Sequence, residues 1–278
     1  AKKFRIQHST TNYQTILADE EVDMVIITTQ HHMHAPMVCD ALNAGKHVFV
    51  EKPLAINEEQ LENVHQTLLK NTGLSLTVGF NRRFSMHIQK IKSLLGDTPG
   101  PMNIIATMNA GAIPQDSWIQ DMERGGGRII GEACHFIDLM VFITGSKVKA
   151  VCMNAMGPNA KLGTDNASIL VRFENGSNGV VNYFANGSKG YSKERVEVFS
   201  QRRTLVLDNF RTLQGYGFKG FKKLKTKQDK GHKKQFELLV DRVANGGNPL
   251  ITIDEIYNVS RASIMAVESL KSGGLVEI

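Results

Sequence analysis

The chain has 278 residues, 41% hydrophobic and 22% charged, an ordinary balance for a globular protein long enough for two domains. No apolar run approaches the roughly 20 residues of a membrane span, and Ala1-Lys2-Lys3-Phe4 leads into polar sequence, not the apolar stretch of a signal peptide. The net charge of +6 is local: Lys219 to Lys234 holds eight lysines against one acid, Asp229, so the remainder is close to neutral, and the segment reads as a solvated loop.

The first 80 residues alternate strand and helix. Asp23 to Thr28 is a short apolar run suited to a strand buried on both faces. Pro36 to Asn43 reads as a helix stopped by Gly45, and His47 to Glu51 as a second strand. Asn57 with Gln60 marks a helix start, Gly73 its stop, and Leu74 to Phe80 a third strand. This spacing predicts a parallel sheet with right-handed crossovers.

After Phe80 the pattern turns to strands, at Pro101–Asn109, Lys147–Asn154, Asn166–Phe173, Gly179–Phe184, Arg195–Phe199 and Thr204–Leu207, with Asn175 to Asn178 as a hairpin turn. Helices are predicted at Ile129–Thr144, Lys233–Ala244 and Asp254–Ser272. The fold class expected is α/β: a partial Rossmann-like parallel sheet over 1–80, then an α+β domain over 81–278 with a large, mostly antiparallel sheet. Cys39, Cys134 and Cys152, odd in number and far apart, read as reduced thiols of a cytoplasmic protein.

A dinucleotide-binding unit normally shows a glycine-rich turn after its first strand, because backbone amides must approach the pyrophosphate closely. None precedes Asp23, and Ala1 to Arg5 reads as the end of a helix. The sequence therefore predicts that a strand, the phosphate loop, a helix and a second strand lie upstream of Ala1.

Three segments carry chemistry. Thr29-Gln30-His31-His32-Met33-His34 has three histidines in four residues, yet nothing elsewhere supplies a matching ligand set, so no metal is expected. Glu51-Lys52-Pro53 closes the second strand; on its own Lys52 reads as an exposed strand-end lysine. Gly125-Gly126-Gly127 leads into a helix on which Gly131, His135 and Asp138 share a stripe, with Glu132 about 60° from His135.

Together these segments resemble the Gfo/Idh/MocA family, named for glucose–fructose oxidoreductase, inositol dehydrogenase and a rhizopine-catabolism protein. Gly45 to Pro53 is the strongest match, and Gly125 to Asp138 is closest to members fused behind a zinc-type alcohol dehydrogenase module. The resemblance implies an NAD- or NADP-dependent oxidoreductase acting on a sugar, sugar derivative or cyclitol. Thr28, Thr29, His31 and His34 would line the nicotinamide half of the cofactor, although Gln30 and His31 stand where the family usually has Pro and Asn.

Lys52 would move the proton, since a lysine beside a cationic ring and partly out of water can take it near neutral pH. Glu51, Pro53 and Asn81 would face the cofactor, and Arg83 and Trp118 the substrate. The family often has Asp four residues before His135; this chain has Gly131 there, so Glu132 and His135 are expected to complete the site with Lys52. Asp138 reads as a structural partner.

Phe218, Phe221 and the lysine run are a candidate lid, or a contact for an anionic substrate. The resemblance further implies a homo-dimer or tetramer through the second domain's sheet. Nucleic-acid and membrane partners are not expected. A glycoside-cleaving relative and a cofactor-incompetent regulatory relative stand as alternatives.

Overall fold

A computed structural model describes residue 3 and residues 6–97, 99–158, 160 and 162–278. The helix end expected at Ala1 to Arg5 lies, Lys3 apart, outside the described residues. The first unit contains α1 (Gln14–Leu17), β1 (Met24–Ile27), α2 (His31–Asn43), β2 (His47–Val50), α3 (Glu58–Lys70) and β3 (Leu76–Val78). Its strands form a parallel sheet in the order β1-β2-β3. Val48, Phe49, Val50 and the whole of β3 are buried, which is why these runs are apolar without alternation.

α2 begins five residues before the expected Pro36, so His31 to His34 form its first turn. Pro36 cannot donate to the carbonyl one turn back. That carbonyl, of His32, accepts from Gln60 Nε2 at 3.3 Å instead. The predicted cap of α3 is present: Asn57 Oδ1 accepts from Gln60 N at 2.9 Å, and Gln60 Oε1 accepts from Ile56 N at 3.1 Å.

The chain then crosses to the second unit through a tight turn, Asn81–Phe84, and α4 (Met86–Leu95). α4 was not anticipated. Its signals were short: Ser85 Oγ accepts from Ile88 N, and Ile88, Ile91 and Leu95 form the buried stripe.

The second sheet is built from β4 (Asn103–Asn109), β5 (Val148–Ala155), β6 (Asn166–Phe173), β7 (Asn178–Phe184), β8 (Glu194–Ser200), β9 (Arg203–Asp208), β10 (Thr212–Tyr216), β11 (Lys223–Lys225) and β12 (Val276–Glu277). The order is β11-β10-β9-β8-β4-β7-β6-β5-β12. Neighbours are antiparallel except β4 and β7, which run parallel. α5 (Cys134–Thr144) and α7 (Ile253–Ser272) pack against one face, over Val181, Tyr183, Val151 and Ile169. The other face shows Leu170, Phe184 and Phe199 to solvent.

The lysine segment is not one solvated loop. It contributes the edge strand β11, where lysines block further pairing, and the start of α6 (His232–Asn245). Phe218 and Phe221 pack with each other, with Arg203 and with Lys90. Among the described residues no helix is long and apolar enough to cross a membrane.

Candidate active site

β2 ends at Val50, and Glu51-Lys52-Pro53 carries the chain off the carboxyl end of the sheet, where open α/β sheets bind ligands. The Lys52–Pro53 peptide is cis. Lys52 Nζ donates to the Gly131 carbonyl at 2.9 Å. Gly131 belongs to a π-turn, Ile129–Ala133, that leads into α5. A wide turn of this kind disturbs the regular i to i−4 ladder and releases carbonyls to other donors, which here is Lys52.

α2 starts beside this point. His31 Nδ1 donates to the Gly125 carbonyl at 2.7 Å, and the Trp118 ring meets the His31 ring edge-on at 4.8 Å. Burial pushes the His31 pKa down to about 4, with Lys52 adding to the effect, so the ring is neutral. His34 lies between two carbonyls, Pro53 O at 2.7 Å and Thr29 O at 3.0 Å, and burial lowers its pKa as well. It staples the turn after β1 to the turn after β2.

Glu132 lies on the other side of Lys52. Its Oε2 accepts from the Tyr183 hydroxyl at 2.6 Å and its Oε1 from Arg128 Nε at 3.2 Å. Burial opposes its ionisation, but Tyr183, Arg128 and Lys52 outweigh burial and hold its pKa below the ordinary value. Arg128 also reaches Gly111 O at 2.7 Å and Asp165 at 3.5 Å. Beyond Asp165 a cleft of about 920 Å³ opens, lined in part by Gln120, Met122 and Leu162.

His135 is buried at the start of α5, edge-on to Phe80, and its Nδ1 is sealed from solvent without a partner among the described residues. Burial, then Arg82 and Lys52, hold its pKa well below the usual histidine value. Arg82 is fixed by Glu194 at 2.8 and 3.1 Å, and Lys230 Nζ reaches the same carboxylate at 2.5 Å. Burial works against the Glu194 charge, and Arg82 with Lys230 overcomes it. Asn81 Nδ2 donates to Lys230 O at 2.6 Å, and Gly231 follows with φ +85°, where an added Cβ would collide with the Asn81 carbonyl.

A family model described as an oxidoreductase family with an NAD-binding Rossmann fold matches residues 1–80, and the GFO/IDH/MocA C-terminal domain matches residues 100–206. The chain belongs to the Gfo/Idh/MocA family. An uncharacterized oxidoreductase, YrbE, of Bacillus subtilis is 32% identical over 218 residues, 76% of this chain and 62% of that protein. Myo-inositol 2-dehydrogenase of Thermotoga maritima is 26% identical over 216 residues, 76% and 64% of the two lengths. The chain thus spans less than two thirds of these two relatives. The structure of levoglucosan dehydrogenase in complex with NADH and levoglucosan shares the fold, with a TM-score of 0.86 at 22% identity, covering 100% of this chain and 85% of that one.

Within this Gfo/Idh/MocA fold the expected residues gather unevenly. Lys52 reaches the Gly131 carbonyl, the His31 ring contacts Trp118, His31, Glu132 and His135 each feel the Lys52 charge, and Thr28 and Thr29 stand exposed at the carboxyl end of β1. Glu51 lies half-buried against Gly79, whose missing side chain leaves room for its carboxylate. Pro53 contributes its carbonyl to His34 and no side-chain donor.

Arg83 is a correction. It donates to both oxygens of Asp138, at 2.6 and 3.2 Å, and to Glu255 at 2.8 Å. These bonds join α5 to α7 through a buried guanidinium, so the structure supports a structural role for it. Asn81, just past the carboxyl end of β3, has its amide donor on the Lys230 carbonyl. His34 has a protein carbonyl near each ring nitrogen and, as a neutral ring, donates to one of them, which makes it a staple rather than a free ligand.

Tyr183, Arg128 and the Arg82–Glu194–Lys230 cluster were missed. Tyr183 was visible only as an inward residue of a strand, and its partner Glu132 lies 51 residues earlier. Among the described residues no group of three His, Cys, Asp or Glu is placed to hold a metal ion.

Proposed function

We propose that this chain carries the chemistry of an NAD(P)-dependent oxidoreductase that moves a hydride between nicotinamide and a hydroxyl or carbonyl of a sugar, sugar derivative or cyclitol, with Lys52 transferring the proton. The observation that carries this reading is the Lys52 ammonium at the carboxyl end of a parallel sheet, held by the Gly131 carbonyl and ringed by His31, Glu132 and His135. The relatives that act on myo-inositol and levoglucosan support the substrate class.

The surroundings suit the cofactor. Thr28 and Thr29 offer exposed residues at the end of β1, and Gly79 makes room for the Glu51 carboxylate. When bound, the nicotinamide supplies the hydride acceptor. In alcohol oxidation the neutral-amine form of Lys52, its ammonium proton first released to solvent, takes the hydroxyl proton as the hydride leaves the carbinol carbon. In carbonyl reduction it returns that proton to the new alkoxide. His135 is a neutral, dry imidazole whose Nε2 is free to orient the reacting oxygen by a hydrogen bond. Glu132, ionised and fixed by Tyr183 and Arg128, holds negative charge beside Lys52 and accepts from further substrate hydroxyls.

We further propose that copies pair through the exposed sheet face bearing Leu170, Phe184 and Phe199. The enzymatic reading is tested by following nicotinamide reduction by the full-length protein with myo-inositol, levoglucosan and a panel of hexoses, and the reverse reaction with the matching ketones. Stoichiometric NADH or NADPH formation supports it. No cofactor turnover in either direction across the panel refutes it, and release of free sugar without net NADH would favour a glycoside-cleaving relative.

A further inference from the structure

His31 and Lys52 are organised by one residue. Lys52 donates to the carbonyl of Gly131, and the α-carbon of the same Gly131 faces the His31 ring: a Cβ built there would lie 2.9 Å from His31 Cε1 and 3.4 Å from Nδ1. The imidazole therefore occupies the space a side chain at position 131 would take. Its Nδ1 is 2.7 Å from the Gly125 carbonyl, which can only accept, so Nδ1 carries the ring proton. The proton count follows from that bond. Nε2 is left with a lone pair, has no partner among the described residues, and is not sealed from solvent as His135 Nδ1 is. Trp118 packs on the ring and limits its rotation.

We propose that His31 Nε2 is the acceptor for a second substrate hydroxyl, the one on the carbon next to the reacting carbon, and so sets specificity for vicinal diols. The inference rests on the oxidoreductase reading above and goes beyond it. In that arrangement the reacting hydroxyl meets Lys52, and its neighbour donates to His31. A substrate with hydrogen, a ketone oxygen or an ether at the neighbouring carbon supplies no proton to Nε2 and is discriminated against, because the acceptor has lost water and gained nothing. Gly131 is then required twice: its carbonyl positions Lys52, and its bare α-carbon admits the imidazole.

Two substitutions separate holding the loop from reading the substrate. His31→Asn keeps a short amide donor for the Gly125 carbonyl and deletes the acceptor at the Nε2 position. His31→Gln places an amide near the Nε2 position and weakens the Gly125 bond. On whichever polyol the wild-type protein oxidises, His31→Asn is expected to lower kcat/KM roughly ten- to a hundredfold with the thermal midpoint at neutral pH little changed. His31→Gln is expected to retain more activity with a lower midpoint. Replacing the neighbouring hydroxyl by hydrogen should cost the wild type a similar factor and His31→Asn almost nothing.

Imidazole nitrogen NMR of the full-length protein decides the tautomer without any turnover. A protonated Nε2 in the resting protein overturns the proposal, as does wild-type kcat/KM in His31→Asn. Failure of the wild type to oxidise any polyol counts against the enzymatic reading alone, and the NMR result then decides this one.

Discussion

The Lys52 ammonium and the Gly131 carbonyl, 2.9 Å apart, join the carboxyl end of the parallel sheet to the π-turn of the second unit. Neither partner is informative alone: a lysine at a strand end is ordinary, and a glycine in a helix usually marks a weak point. Together they place an ammonium on a neutral acceptor, with His31, Glu132 and His135 within electrostatic reach.

Tyr183 supports this arrangement from beneath. Its hydroxyl donates to Glu132 Oε2 at 2.6 Å, and burial followed by Glu132 pushes its own pKa up, so it stays a donor. Tyr183→Phe leaves one oxygen of a largely buried carboxylate without that donor. The expected loss is about 1–3 kcal/mol of stability, read from denaturant unfolding, with a raised KM for the polyol. An unchanged KM would separate Glu132 from substrate binding.

Arg83 tests the opposite assignment. Its removal strands Asp138, whose side chain is 1% exposed, without a counter-charge. Arg83→Ala is expected to cost about 3–5 kcal/mol while leaving the ranking of substrates in the folded fraction unchanged. A variant of normal stability with a reordered substrate ranking would restore Arg83 to the substrate pocket.

Acid should destabilise the protein through its buried histidines. His31 has a folded pKa of about 4 against an ordinary value of 6.5, so between these values the unfolded chain binds a proton that the folded chain refuses. Stability is therefore full above pH 6.5 and falls as the pH drops toward 4, by up to about 3 kcal/mol for His31. His34 and His135, also lowered chiefly by burial, act with the same sign. Thermal midpoints across this window should decline, and His31→Asn should flatten part of the slope; a midpoint that rises toward pH 4 would contradict the buried neutral rings.

β2 and β3 were legible because they are buried on both faces and therefore largely apolar. β1 gives the same apolar signal but lies at the sheet edge with Ile26 half exposed, so the two-sided burial expected of it is not found. The six main strands of the second sheet were legible from alternation, as in Asn166–Phe173, where every second residue is buried. α4 and β10 to β12 were not, since Lys223–Lys225 or Val276–Glu277 gain a strand's geometry only from a neighbour's hydrogen bonds. In the site, Lys52, His135 and Glu132 were visible because each lies inside a local motif. The roles of Arg83 and His34 were not, because partners 55 or 19 residues away decide whether a polar side chain is free or already spent.

Lys52→Ala in the full-length protein tests the central claim most directly. Turnover and NADH affinity are measured side by side, the first by nicotinamide absorbance and the second by fluorescence titration. The account predicts a fall in kcat of at least about 10²–10⁴-fold, the usual range for a lost acid–base group, with NADH binding retained within a few-fold. Near-normal kcat in a folded, NADH-binding Lys52→Ala protein would contradict it.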